Sequence, residues 1–197
     1  MDIEQKIAEV IETSNPEFLA QCHELEGVPA LGSMVRTRGG ECDIYGIVYY
    51  SATHSIEPGR RIIARGQNAA SDRDVFKANP QLAKLLCSDF KALVIGHRSD
   101  GTIRQYLPPS PASVYAFVYT SQDEEVRQFT QSLNFLNLLL DSRLTVATDE
   151  VTAAFLRYAS RTHPSPQEFL VKAGKELAWL LSSDIRRLDS ILKRLSQ

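Results

Sequence analysis

Residues 102–141 read TIRQYLPPSPASVYAFVYTSQDEEVRQFTQSLNFLNLLLD, and the character of the chain changes inside them. Pro108-Pro109-Ser110-Pro111 predicts a stiff, extended segment with few conformations. VYAFVYT, residues 114–120, predicts a further strand or an extended strap along whatever lies upstream. From Ser121, with Glu124 three residues on, a capping box opens a helix predicted to run to about Asp141. Val126, Phe129, Leu133, Leu136 and Leu140 step by three and four along it. Phe135, Leu138 and Leu139 widen the stripe, so burial on more than one side is expected.

The same change divides the whole chain of 197 residues. Nine of its ten glycines and seven of its nine prolines lie in residues 1–120, and 14 of its 22 leucines lie in residues 121–197. Glycine and proline punctuate strands and turns, whereas leucine favours helix interiors. The fold class is therefore α+β, mainly β to about residue 120 and helical beyond it. Strands are predicted at 6–13, 17–24, 32–37, 43–51, 90–97 and 102–107. Turns fall at Ser14-Asn15-Pro16, Gly39-Gly40 and Asp100-Gly101, the last a strong hairpin signal. About six short strands with glycine-rich turns predict a small closed barrel, since closure removes exposed edges. An insert at about 56–89 interrupts it, with a helix over 73–87 that Pro80 splits or restarts.

About three helices are expected in residues 121–197. The second runs from Asp149, capped by Thr148, to Thr162. The third opens at Ser165, with Pro166 at its first position and Glu168 completing a capping box. Leu170, Ala173, Leu177, Leu181, Ile185, Leu188, Leu192 and Leu195 keep one face almost to the end, and Ser182-Ser183-Asp184 is where that helix would break.

Charge and composition bound the function. The net charge is -2, and the two parts carry 12 basic against 14 acidic and 10 against 10, so neither is a hidden basic domain. Global attraction to nucleic acid or to acidic membranes is not expected. The acidic start MDIEQKIAEV lacks the pattern of a secretory signal. Asn134, Asn137 and Asp141 break the longest apolar stretch of the second half, and Cys22, Cys42 and Cys87 are sparse. These features predict a cytoplasmic chain with reduced thiols and no membrane insertion.

No catalytic motif stands out. Gly174-Lys175 is followed by Glu176 and has no upstream glycine to build a phosphate cradle, and neither G-x-G-x-x-G nor G-x-S-x-G occurs. Cys22 and His23 occupy adjacent strand positions and point to opposite faces, which argues against a metal shared with Cys42 and His54. Glu9 and Glu12 straddle a strand, and Asp123, Glu124 and Glu125 suit a helix N-terminus. A non-enzyme without cofactor is expected. An enzyme whose site is assembled from distant residues is the least favoured reading.

Surfaces remain. Arg60, Arg61 and Arg65 form the densest positive cluster, with Tyr45, Tyr49 and Tyr50 on a nearby strand. Basic grooves with stacking aromatics bind single-stranded nucleic acid. Against that, Glu57, Asp72 and Asp74 can neutralise the arginines while the tyrosines fill the barrel, and this is the preferred reading. Arg186, Arg187, Lys193 and Arg194 form the polar face of the last helix, where the helix C-terminus favours cations. The candidate interaction surface is Arg60, Arg61, Arg65 and Tyr49, with Arg186 and Arg187.

Several stretches carry a family resemblance. They are Ala8–Ser14 (AEVIETS), Phe18–Cys22 (FLAQC), Gly32–Val35 (GSMV), Tyr45–Tyr50 (YGIVYY), Tyr106–Pro111 (YLPPSP) and Phe135–Leu139 (FLNLL). With the last helix they span nearly the whole chain, which resembles a family of cyanobacterial proteins carrying a HAS barrel. That small barrel is shared by HerA-type DNA translocases and the N-terminal crowns of ATP synthase subunits. In those relatives it is a non-catalytic assembly module in front of an ATPase core, and here helices stand in place of that core. The resemblance implies a protein-interaction role, through a protein partner or self-association, with a HerA-like ATPase or another multisubunit complex as the setting.

Overall fold

The computed structural model describes residues 6–57 and 59–195. Its strands are β1 Lys6–Thr13, β2 Glu17–Cys22, β3 Met34–Gly39, β4 Cys42–Ser55, β5 Leu86–Ser99, β6 Thr102–Arg104 and β7 Phe117–Thr120. They pair antiparallel in the order β2-β1-β7-β3-β4-β5, and a β2–β5 pairing closes a six-stranded barrel, with β6 attached to the end of β5. The sixth wall strand is therefore β7, and the segment 102–107 lies outside the wall. Asp100 and Gly101 both have positive φ (50° and 73°), the geometry of a tight hairpin turn. That turn folds β6 back onto only His97–Ser99. The prolines that follow lack the N–H groups a ladder needs. Their segment crosses Gly39, where a Cβ would lie 2.4 Å from the Pro111 carbonyl oxygen. Ser113 N–H then donates to Arg38 O (2.8 Å) and Tyr115 N–H to Val10 O (2.8 Å), so VYAFVYT is a strap first and a strand only from Phe117.

Two apolar clusters share the wall. Ala8, Val10, Phe18, Ala20, Val35, Ile44, Val48, Phe90, Ala92, Val94 and Val118 form one, drawn from all six wall strands. Alternate residues of β3, β4 and β5, namely Met34, Tyr45, Ile47, Tyr49, Leu93 and Ile95, belong to the other. There they meet the helices that follow the barrel. The change in composition near residue 120 is thus a change in secondary structure, and one apolar core runs across it.

Between β4 and β5 stand α1 Asp72–Ala78 and a 3-10 turn Pro80–Lys84, so Pro80 opens the second element. Beyond the barrel are α2 Asp123–Phe129, α3 Phe135–Asp141, α4 Thr148–Ser160, α5 Pro166–Leu180 and α6 Ile185–Leu195. Five helices therefore replace the three expected. The predicted helix 121–141 is broken by a distant side chain. Gln105 donates through Nε2 to the carbonyls of Phe129 (2.6 Å) and Ser132 (2.9 Å), and its Oε1 accepts from Phe135 N–H (3.2 Å). One amide thus satisfies groups that helix ends leave open on either side of the break. The cap also sits one residue later than expected. Gln122 N–H donates to Glu125 Oε2 (3.1 Å), while Ser121 N–H is held by Met34 O (2.9 Å). Ala147 and Ser165 cap α4 and α5 without a side-chain bond. The break at Ser182–Asp184 is where expected, and Asp184 Oδ1 accepts the N–H of Arg187 (3.0 Å).

Helix α4 comes close against the segment leading into β3 at Gly32, whose φ is +81°. A Cβ there would lie 2.6 Å from both the Ala154 carbonyl carbon and the Phe155 nitrogen of α4. Gly32→Ala combines left-handed strain with a backbone overlap and is expected to cost roughly 2–5 kcal/mol. A urea titration followed by the Trp179 fluorescence or by circular dichroism measures it.

His163 stacks on Phe169 (ring centroids 4.2 Å apart) and its Nε2 lies 2.8 Å from Thr130 Oγ1. Burial, reinforced by Lys172 and Arg127, pushes its pKa below the ordinary 6.5. As pH falls through about 6.5 the unfolded chain takes up the proton first, so stability is lost on the acid side and is fully present above it. The denaturation midpoint is expected to fall between pH 7.5 and 5.5 by less in His163→Gln than in the parent chain.

Candidate interaction surface and donor cluster

The β4–β5 ribbon outruns the barrel. Its register continues from Ala52↔Asp89 through His54↔Cys87 to Ser55↔Leu86, and Ile56 N–H donates to Leu85 O (3.0 Å). The sequence reading stopped these strands at Ser51 and Phe90. The insert 56–85 is carried on this projecting tip. It encloses a groove of about 410 Å³ whose walls include Ile62, Ile63, Phe76 and Leu86, with Arg60, Arg61 and Arg65 among its lining residues. Ile63 is 71% exposed and Ile56 and Ile62 are each more than half exposed, an unusual density of open apolar side chains for one short segment.

The candidate residues divide sharply. Arg60 pairs with Glu57 (2.9 Å), as the neutralising reading expects. Asp74 turns instead to Lys77 (3.3 Å) and Ser71, and the side chain of Asp72 lies outside the described residues. Arg61 and Arg65 are exposed in the insert. Tyr49 is only 1% exposed and so leaves the surface. Its hydroxyl donates to the Glu17 carboxylate, and burial together with that bond raises its pKa. Tyr45 is also buried, its pKa pushed up to about 12 chiefly by burial. Both rings face the helices rather than fill the barrel, and of the three tyrosines only Tyr50 is exposed.

Arg186 and Arg187 are set in the first turn of α6, because the chain breaks just before them. The helix dipole disfavours cations there. Arg187 is held instead by Asp149 Oδ1 (2.7 Å) and Leu140 O (3.1 Å), tying α6 to α3 and α4, while Arg186 stays exposed. The two neighbours therefore differ in kind. Arg187→Ala is expected to lower stability by about 1 kcal/mol and Arg186→Ala to leave the melting transition in place, as parallel thermal melts would show.

A second grouping lies at the root of the insert. His54 and Cys87 are cross-strand partners, and Asp89, two residues beyond Cys87, projects from the same face. Cys87 Sγ is 3.3 Å from His54 Nε2, which is 3.4 Å from Asp89 Oδ2. Gln21 of β2 donates to the other carboxylate oxygen (3.3 Å). Burial, then the Asp89 charge, raises the Cys87 pKa. Among the described residues this is where His, Cys and carboxylate donor atoms converge in a group of three. Cys22 and Cys42 are buried elsewhere, the Cys22 pKa pushed up to about 11 by burial and by Asp89. From the sequence, His54 is weighed with Cys22 and Cys42, and strand alternation argues against that grouping; the structure sets it beside Cys87. His54 and Cys87 are 33 residues apart, and strands three residues longer, to 54 and from 87, are needed to place them opposite each other.

A further cavity of about 560 Å³ runs along Ile103, Gln105, Gln128, Phe129 and Asn134, and among the described residues no ionisable side chain lines it. No protein-family model matches the chain. No curated protein matches it in sequence. Among the described residues no helix is long and apolar enough to cross a membrane.

Proposed function

We propose that the chain is a non-enzymatic protein-interaction module whose contact surface is the insert on the β4–β5 tip. The observation that carries this reading is the groove itself, where exposed Ile62, Ile63 and Phe76 stand beside Arg60, Arg61 and Arg65. Apolar side chains ringed by arginines suit a protein segment with apolar anchors and flanking carboxylates, since buried apolar area supplies affinity and the rim supplies orientation. The barrel and clad helices then serve as the rigid base that holds the tip clear of the main body. Taken with the HAS-barrel resemblance, the setting we propose is assembly with a HerA-like hexameric ATPase or another multisubunit complex in the cytoplasm.

Single-stranded nucleic acid is disfavoured, because the tyrosines that would stack with bases beside the arginines are largely buried: Tyr45 and Tyr49 are at or below 1% exposure. Crosslinking mass spectrometry of the tagged chain in its own cells, with Ile63→Asp/Phe76→Asp and Arg61→Glu/Arg65→Glu alongside, separates the readings. Crosslinks from the insert to one stoichiometric protein, lost in both double variants, are expected. No stoichiometric partner together with no self-association would overturn the proposal. So would oligonucleotide binding at roughly 50 mM salt that falls when the arginines are replaced.

A further inference from the structure

We infer that His54, Cys87 and Asp89 form a zinc site at the root of the insert. Their donor atoms are one imidazole nitrogen, one sulfur and one carboxylate oxygen, and all lie within 4.8 Å of one another. Bonds of about 2.0–2.3 Å in a tetrahedron put neighbouring ligand atoms about 3.3–3.6 Å apart. The His54–Cys87 and His54–Asp89 separations, 3.3 and 3.4 Å, already have that spacing, and the Cys87 and Asp89 donors lie within 4.8 Å of each other. An ion therefore fits with side-chain adjustments alone.

The donor set selects the ion. Magnesium and calcium take oxygen ligands, whereas a mixed nitrogen, sulfur and oxygen set suits zinc. The ligands stand on the long strands β4 and β5, which are paired on both sides of the cluster, so their backbones are held before any ion arrives. Gln21, from the neighbouring strand β2, fixes the Asp89 carboxylate through its second oxygen, the outer hydrogen bond that orients a metal-binding group. The Asp89 side chain is 11% exposed and that of His54 is 52% exposed, so the cluster opens to solvent on the imidazole side. Water completes the tetrahedron from there. On binding, the ion takes the place of the Cys87 thiol proton, which leaves to solvent, and no electron changes hands.

The location gives the site a consequence. His54↔Cys87 is the last pair but one before the insert leaves the ribbon, and the final pair contributes Ser55 and Leu86 to the groove lining. A bound ion would clamp the two strands at the base of that surface.

Calorimetric titration of the reduced, chelator-treated full chain with zinc chloride is expected to give one site per chain and a rise in melting temperature. Titration with cobalt(II) is expected to give the near-ultraviolet charge-transfer absorption of thiolate ligation. Cys87→Ser should abolish that absorption, and His54→Ala and Asp89→Asn should each weaken zinc binding at least tenfold. Gln21→Ala, which removes a hydrogen-bond partner of both Asp89 and Cys87, should weaken it roughly tenfold or more. Circular dichroism verifies that each variant is folded, and half-exposed His54 makes His54→Ala the variant least able to disturb the fold. Absence of one-to-one binding would overturn the inference. Binding of parent strength in both Cys87→Ser and His54→Ala would overturn it equally, because the ion would then sit elsewhere.

Discussion

The β4–β5 ribbon has to bury both of its faces, and most of the architecture follows from that constraint. Ile44, Val48, Ala92 and Val94 belong to the cluster drawn from all the wall strands, while Tyr45, Ile47, Tyr49, Leu93 and Ile95 belong to the cluster shared with the helices. A wall strand that is apolar on both faces needs a cover over its outer face. The helical half of the chain is that cover, with Phe129, Phe135 and Phe155 packed in sequence from Tyr45 outward, their rings 5.2–5.6 Å apart. Fixed left-handed backbone at Gly32 lets α4 come in against the barrel at backbone distance. Arg36 adds a polar tie, its guanidinium 3.1 Å from Glu125 at the start of α2 and stacked over Tyr119 of β7.

The same ribbon changes character once it leaves the covered region. Along β4, residues 44–49 are buried in succession and those from Tyr50 on are exposed or half-buried, while Ser88, Asp89 and Phe90 opposite them on β5 stay buried. The exposed stretch carries polar donors where the covered stretch carries rings, and it ends in the insert with its open isoleucines. A rigid, doubly buried stem and a projecting polar tip are one continuous hairpin. Chemistry at the tip is therefore placed by packing far below it, which is how a site on a loop acquires the precision of one on a strand.

Some of this was legible from the residues. The places of the first five strands, though not their lengths, the Asp100-Gly101 hairpin and the break at Ser182–Asp184 follow from local chemistry, because no distant group competes there. The errors share one cause. Gln105 splits the helix predicted over 121–141 from 30 residues away, a contact no periodicity reports. Phe117–Thr120 rather than 102–107 completes the barrel because a strap of prolines carries the chain past the β3–β4 turn. Tyr49 looked like a surface aromatic because alternation alone does not say that both faces of β4 are covered.

By itself the sequence determined the class of structure: strands where glycine and proline punctuate short alternating runs, helices where leucines recur in threes and fours, and no local motif for phosphate or nucleophile. Those are properties of neighbouring residues, and local backbone sterics and periodic burial are enough to enforce them. Tertiary structure alone decided which strand closes the barrel, which face of β4 meets the helices, and that His54, Cys87 and Asp89 stand together. Each of these depends on register across hydrogen-bonded strands, where a shift of one residue sends every side chain to the opposite face. Register is set by packing between segments tens of residues apart, and no window of sequence contains it.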